Sequence, residues 1–234
     1  MMPDAPDPLC LAGAVPADAC SRWLDWIGAA RARLQAPHPD LQPASASLRL
    51  RALGDSAFDG IVAAVRAGPA GPVLRARLGP DLRCLASQCW ARRQVPAAQR
   101  APGEHPHEWH QDGALNCRFD GSDTQLLDLV TVWIALVPCG VDAPSLEWIV
   151  PGPSGLHPAL ELADPALAQR FGLAGRAHAR LSAGDALVFG GALLHRSHHD
   201  AAMTRPRDSI ELRFVPAGPV PPRLAHEHLS TLLD

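Results

Sequence analysis

Lysine and tyrosine are absent from this sequence of 234 residues, in which all 21 of the lysine-plus-arginine positions are arginine. A GC-rich genome, which favours arginine, alanine, glycine and proline codons, accounts for this composition. The absence of lysine has one chemical consequence, because no lysine side chain can form a Schiff base with a carbonyl substrate.

None of the six cysteines belongs to a C-x-x-C pair, which argues against a thioredoxin-like redox site and a zinc ribbon. The acidic N-terminus lacks the basic region and long apolar run of a signal peptide. No run of about 20 apolar residues predicts a transmembrane helix. We therefore expect a cytoplasmic protein with reduced thiols.

The charge of the chain is close to balanced, with a formal net value of -3. This balance favours neither a nucleic-acid partner nor a polybasic contact with a membrane. Hydrophobic residues make up 47% of the chain, enough for a sizeable core. The length fits one large domain, so we interpret residues 1–234 as a single domain.

Helical patterns dominate the N-terminal part of the chain, residues 1–80. Apolar residues recur at three-and-four spacing over 17–35, which predicts an amphipathic helix. A second helical pattern covers 56–67, and a short helix is expected after the "GPAGP" segment. We expect this part to pack on the outside of the remaining structure.

Short strand patterns dominate residues 81–216, and 217–234 are interpreted as a C-terminal tail. The runs are apolar or alternating and are bounded by Gly, Pro or Asp. They are 82–95, the segment containing 108–115, 126–138, 145–152, 179–191 and 208–216, with a helical insertion at 158–175. Because strands and helices do not alternate, the pattern predicts a mainly β barrel or sandwich with flanking helices.

The segment "EWHQDGAL" places an imidazole and a carboxylate two residues apart, at His110 and Asp112. In a strand these two side chains share one face and Gln111 lies on the other, so the pair is suited to one cation. A third ligand is expected, and the candidate is His195 in "FGGALLHRSHHD". Two histidines and one carboxylate form the facial triad of non-haem Fe(II) oxygenases, with positions left open for a cosubstrate and O₂.

A second group of residues suits 2-oxoglutarate, the dicarboxylate that many such oxygenases consume. Arg207 and Ser209 lie two apart at the start of a predicted strand, so they share a face. A planar guanidinium binds a carboxylate through two parallel hydrogen bonds, and a hydroxyl adds a third donor. The twelve residues from His195 to Arg207 leave room for a turn between two neighbouring strands.

Four segments in order resemble the phytanoyl-CoA dioxygenase-like Fe(II)/2-oxoglutarate oxygenases. They are "WHQDG", "TVWIAL", "SLEWIVPGPSGLH" and "GDALVFGGALLHRS" followed by "RDSIELRF". The resemblance covers roughly residues 82–216, although Ser154 replaces a histidine that the family commonly has. It implies a double-stranded β-helix, a jelly-roll barrel of the cupin type with helices outside.

The resemblance also implies a set of functional residues. It assigns Fe(II) to His110, Asp112 and His195, and 2-oxoglutarate to Arg207. Gln111 and Trp133 become candidates for the wall of the pocket, although a tryptophan at such a position is equally a core residue. Some relatives use a lysine on an early strand near the cosubstrate, and Arg92 is the candidate to replace it here.

The activity implied is hydroxylation of a C–H bond in a small molecule, coupled to decarboxylation of 2-oxoglutarate to succinate. Relatives that halogenate have a small residue in place of the metal-binding carboxylate, whereas this chain retains Asp112. Two alternatives remain at this point. One is a cupin-type metalloenzyme that does not use 2-oxoglutarate, and the other is a non-catalytic ligand-binding barrel.

Overall fold

A computed structural model describes residues 8–34, 37–42, 46–117, 125–149, 155–157, 176–224 and 230–231. Within these ranges the chain forms twelve strands and three α-helices, together with short 3-10 turns. In chain order they are β1 (Leu9–Leu11), α1 (Ala17–Arg33), β2 (Leu41–Gln42), β3 (Ser47–Arg49), α2 (Asp55–Ala67), α3 (Ala70–Leu78), β4 (Arg83–Cys84), β5 (Trp90–Gln94), β6 (Val130–Ala135), β7 (Ser145–Ile149), β8 (Arg176–His178), β9 (Ala186–Gly190), β10 (His195–His198), β11 (Arg207–Val215) and β12 (Ser230–Thr231).

The three predicted N-terminal helices are confirmed. α1 buries one face that includes Trp23 and Ile27, as the three-and-four spacing requires. α2 likewise buries Phe58 and Ile61. The third helix, α3, begins at Ala70, inside the "GPAGP" segment rather than after it. Among the helices of the described residues, none is long and apolar enough to cross a lipid bilayer.

The strands form two antiparallel sheets, as a double-stranded β-helix predicts. The larger sheet has the order β1-β9-β6-β11-β5-β3-β2, with β4 paired to β11 and β12 paired to β4, and the smaller has the order β10-β7-β8. The N-terminal part therefore contributes three short strands besides its helices. The C-terminal tail contributes β12, which pairs with β4.

Strand β11 divides the molecule into an apolar layer and a polar interior. On one face Ile210, Leu212 and Phe214 are fully buried in the same core cluster as residues of the three helices. Because side chains alternate along a strand, the other face carries a different set. That face presents the buried polar residues Arg207, Ser209, Glu211 and Arg213.

The predicted strand at 82–95 is wrong in part, because a 3-10 turn at Ala86–Gln88 separates β4 from β5. The turn meets β11 through two hydrogen bonds. The backbone N–H of Leu85 donates to the carbonyl of Arg213 at 2.8 Å, and the Arg213 guanidinium donates to the carbonyl of Gln88 at 2.7 Å. In a continuous strand, the Gln88 carbonyl would instead accept a backbone hydrogen bond from a neighbouring strand.

The segment around 108–115 also differs from the predicted strand. His110 forms one isolated bridge, and Asp112–Ala114 is a 3-10 turn. The chain bends here because Gly113 approaches Gly191 closely, with its N–H donating to the Gly191 carbonyl at 2.8 Å. A Cβ at position 113 would lie 2.9 Å from that oxygen, so only glycine fits.

Two further predictions concern the second half of the chain. The expected helical insertion at 158–175 lies outside the described residues. The strands that carry His195 and Arg207 were expected to be neighbours, but β10 and β11 belong to different sheets. The smaller sheet therefore carries His195, and the larger sheet carries Arg207.

Candidate metal and cosubstrate site

The three predicted metal ligands converge. One ligand atom from each of His110, Asp112 and His195 lies within 4.8 Å of the others. The backbones of the two histidines exchange hydrogen bonds of 2.9 Å and 3.1 Å, which joins the loop to β10. Their ring centroids are 4.2 Å apart, so both imidazoles project to the same side of this bridge.

Both imidazoles are oriented by a carbonyl two residues earlier in the chain. Nδ1 of His110 lies 2.6 Å from the Glu108 carbonyl, and Nδ1 of His195 lies 3.0 Å from that of Leu193. A carbonyl accepts, so each Nδ1 carries the proton and each Nε2 keeps its lone pair for a metal. Burial and the neighbouring imidazole lower the pKa of His110 to about 4, which keeps this ring neutral at pH 7.

The carboxylate of Asp112 accepts one hydrogen bond on each oxygen. Oδ2 accepts from the Thr131 hydroxyl at 2.6 Å, and Oδ1 accepts from the Arg213 guanidinium at 2.6 Å. Burial raises the pKa of this carboxyl, but the adjacent Arg213 charge outweighs burial and holds the pKa well below its usual range. Asp112 is therefore an ionised ligand.

This donor set fits a non-haem iron centre. Two imidazoles and one ionised carboxylate supply three donors, and imidazole and carboxylate both suit divalent iron. Hydrogen bonds to Nδ1 of each histidine and to both oxygens of Asp112 fix the orientation of every ligand, as metal sites generally require.

Arg207 and Ser209 lie on the interior face of β11, as predicted. Arg207 is fully buried, and its guanidinium carbon lies 5.0 Å from the centre of the Trp133 ring. Within the described residues, Nε and Nη1 of Arg207 and Oγ of Ser209 are buried without a hydrogen-bond partner. Buried polar atoms are rarely left unpaired, so these donors fit a carboxylate ligand.

The electrostatics of Arg207 agree with that interpretation. Burial lowers the pKa of its guanidinium to about 10, because transfer out of water disfavours the charged form. A bound anion would offset this cost. Trp133 is 1% exposed and belongs to the inner core cluster, with its ring beside Arg207, so it is a core residue, and its place in the wall of the cosubstrate pocket remains a prediction.

Gln111 lies in the wall of a cavity beside the metal ligands and also connects three segments of the chain. Its amide nitrogen donates to the carbonyls of Gly155 at 2.8 Å and Ala192 at 2.9 Å, and its oxygen accepts from the backbone N–H of His157 at 2.9 Å. These bonds hold the loop after His110 against the turn that precedes His195.

Arg92 lies at the same cavity, but its guanidinium is engaged by protein groups. It donates to the Ser47 hydroxyl at 2.8 Å, forms an ion pair with Glu211 and contacts the ring of His107. Burial and the Arg92 charge lower the pKa of His107 to about 2, so this imidazole is neutral. A direct contact from Arg92 to the cosubstrate remains a prediction.

A cavity of about 470 Å³ opens beside the metal ligands. Its walls include His110 and Asp112 together with Trp90, Arg92 and Trp109. This volume lies within the range of small-molecule sites, and the mixture of aromatic walls with a few polar groups is typical of them.

The sequence interpretation missed Thr131, Glu211 and Arg213, which hold or neighbour Asp112. A signal for two of them was present in "RDSIELRF", where a polar residue recurs at every second position. That alternation marks an interior polar face on a strand whose other face is apolar.

Two antiparallel sheets around a two-histidine, one-carboxylate set define a jelly-roll metalloprotein. The profile of the family described as phytanoyl-CoA dioxygenase (PhyH) matches residues 9–201, and the chain belongs to this family. No curated protein sequence matches the chain.

Several solved structures share the fold. The non-haem alpha-ketoglutarate-dependent epimerase SnoN from nogalamycin biosynthesis has a TM-score of 0.63 at 16% identity, covering 90% of this chain and 76% of SnoN. HygX from Streptomyces hygroscopicus, with nickel and 2-oxoglutarate bound, has a TM-score of 0.61 at 12% identity, covering 89% of this chain and 82% of HygX. The carbocyclase SnoK from nogalamycin biosynthesis has a TM-score of 0.62 at 12% identity, covering 90% of this chain and 80% of SnoK. At these identities the likeness is one of fold.

Proposed function

We propose that this protein is an Fe(II)- and 2-oxoglutarate-dependent oxygenase that hydroxylates a C–H bond of a small molecule. The observation that carries the proposal is the pairing of two interior features. A His-Asp-His set presents its ligand atoms together, and a buried guanidinium with unpaired donors lies on the strand that also contributes Arg213 to the Asp112 contact.

Each residue has a defined role in this proposal. His110, Asp112 and His195 hold the metal, while Arg207 and Ser209 bind the far carboxylate of 2-oxoglutarate. Once bound, iron and 2-oxoglutarate supply the oxidation by O₂, with succinate and CO₂ as co-products. The protein orients these reactants and excludes water from them.

Structural relatives support the cofactor pair and leave the reaction type to be tested. HygX was crystallised with nickel and 2-oxoglutarate, and SnoN with Fe³⁺ and alpha-ketoglutarate, but SnoN is an epimerase and SnoK a carbocyclase. Retention of Asp112 favours hydroxylation over halogenation. Reaction under ¹⁸O₂ separates the outcomes, because hydroxylation places one labelled oxygen in the product, whereas epimerisation and ring closure place none.

The 2-oxoglutarate assignment is tested at Arg207. Arg207→Met removes the buried cation and is expected to raise the KM for 2-oxoglutarate by about 30-fold or more, the equivalent of about 2 kcal/mol for loss of a buried charge pair. The readout is succinate formation. Arg93→Met is the control. Arg93 lies on the face of β5 opposite to Arg92 and pairs with Asp208, so its loss should leave the KM for 2-oxoglutarate unchanged.

An unchanged KM in Arg207→Met would remove the cosubstrate assignment. Turnover that persists without 2-oxoglutarate would then favour the cupin-type metalloenzyme.

We propose a small-molecule substrate and O₂ as partners, with neither nucleic acid nor membrane involved. A cytoplasmic location also remains a prediction, and the six free thiols are consistent with it.

A further inference from the structure

A second buried carboxylate lies beside the metal ligand. One nitrogen of Arg213, Nη2, donates to Asp112 Oδ1 at 2.6 Å and lies 3.0 Å from Glu211 Oε1. The two carboxylates are therefore separated by a single guanidinium nitrogen. Both acidic side chains are less than a tenth exposed, so water does not screen them from one another.

Arg213 is held firmly between the two acids. Its Nη1 donates to the Gln88 carbonyl at 2.7 Å, which fixes the guanidinium against the 3-10 turn. The same oxygen of Glu211, Oε1, also forms the ion pair with Arg92, which itself donates to Ser47 at 2.8 Å. The result is a buried row of alternating charge that ends at the metal ligand.

Glu211 is an ionised group in this row. Burial raises its pKa, but the charges of Arg213 and Arg92 outweigh burial and lower the pKa to about 2. An ionised carboxylate that only one guanidinium nitrogen separates from a metal ligand is a competing ligand for the same ion, because iron binds carboxylate oxygen readily. A fourth protein ligand would fill a position that the cosubstrate or O₂ requires.

We propose that Arg213 is a positioning residue that keeps Glu211 away from the metal and leaves Asp112 as its carboxylate ligand. The inference rests on the proposed function, since it concerns the open positions of the same metal site. It assigns a purpose to the cation between the two acids, namely to preserve a three-ligand set in a site that contains two carboxylates.

The test replaces iron by Co(II), whose visible spectrum reports coordination without turnover. We compare the wild type, Arg213→Met and the double variant Glu211→Gln/Arg213→Met while 2-oxoglutarate is titrated under nitrogen. In the wild type, 2-oxoglutarate should change the Co(II) spectrum. In Arg213→Met, Glu211 should enter the coordination sphere and weaken the apparent affinity for 2-oxoglutarate about tenfold or more.

The double variant provides the matched control. It lacks the same guanidinium but has no second carboxylate, so its affinity for 2-oxoglutarate should return toward the wild-type value. If Arg213→Met binds 2-oxoglutarate as the wild type does, the inference is overturned. Equal impairment of the single and double variants also overturns it, because Arg213 would then have only a structural role.

Arg213→Gln is the second single variant, for use if Arg213→Met does not fold. It also removes the charge, so the same loss and the same rescue by Glu211→Gln are expected. The wild-type titration distinguishes failure of the proposed function from failure of this inference. If 2-oxoglutarate does not change the Co(II) spectrum of the wild type, the proposed function is contradicted. If the wild type responds normally and the variants are unimpaired, only the inference is contradicted.

Discussion

Thr131 places one hydroxyl against the metal-binding carboxylate. It is fully buried on β6 and donates to Asp112 Oδ2 at 2.6 Å. A ligand that keeps its hydrogen-bond partners stays oriented for the metal, and loss of such a partner commonly weakens metal binding.

Thr131→Val should therefore weaken iron binding while leaving the fold intact. Valine matches threonine in shape, so the change removes the hydrogen bond and little packing. We expect a loss of about tenfold or more in metal affinity, measured by competition with a chelator. Ser145→Ala removes a buried hydroxyl outside the metal site and is the control, and equal affinities for the two variants would contradict the role given to Thr131.

His107 should make the stability of the metal-free protein depend on pH. Its folded-state pKa is lowered to about 2 from an ordinary value near 6.5. The unfolded chain therefore binds more protons below about pH 6.5, and the free energy of unfolding falls as pH is lowered through this range. The contribution of one such histidine is at most about 1.4 kcal/mol per pH unit.

Urea unfolding at pH 7, 6 and 5 measures this slope. His107→Gln should make the slope shallower between pH 6 and 5, and His105→Gln gives the baseline for an exposed histidine nearby. A slope that is the same in His107→Gln and in the wild type would show that His107 does not account for the pH dependence.

At the scale of elements, the cross-strand register assembles the part of the site that the sequence did not reveal. Thr131 on β6 is the direct partner of Arg213 on β11, and both bind Asp112. The spacing of His110 and Asp112 is visible in one short segment, so this pair could be predicted. The partners of Asp112 depend on pairing between strands about 80 residues apart, which no local pattern specifies.

The bend at Gly113 leaves no room for a side chain. Gly113→Ala would place a Cβ about 3 Å from the carbonyls of Gly191 and Leu127, both of them backbone atoms that cannot rotate away. We expect a loss of about 1–3 kcal/mol in stability from this overpacking, together with weaker metal binding because Asp112 moves. Thermal unfolding and chelator competition measure the two effects.

Gly190→Ala is the matched control for this prediction. No atom lies within 4 Å of a Cβ built at Gly190, although this last residue of β9 directly precedes Gly191. The control should keep its metal affinity. Wild-type affinity and stability in Gly113→Ala would show that the close approach does not position Asp112.

Within the residues that the structure describes, one main core joins the helices to the outer face of the larger sheet. Trp23, Ile61 and Leu74 from the three helices are buried in the same cluster as Ile210 and Leu212 of β11. The helical layer was predictable from its periodicity, and so was the mainly β character of the remainder. The assignment of strands to two sheets was not, because it depends on contacts distant in sequence.

A shared core predicts that the helical part and the barrel unfold together. Calorimetry of the metal-free protein should show one transition in which the calorimetric and van't Hoff enthalpies agree, as expected for a single domain. A separate transition for residues 1–80 would contradict the interpretation of 1–234 as one domain.

We propose that His110, Asp112 and His195 bind one ferrous ion next to the 2-oxoglutarate site. Anaerobic protein given Fe(II) and 2-oxoglutarate is expected to develop a weak visible charge-transfer band. His195→Ala should abolish the band, while His178→Ala, which changes an exposed histidine on β8, should retain it. A band of wild-type intensity in His195→Ala, or none in the wild type, would contradict the account.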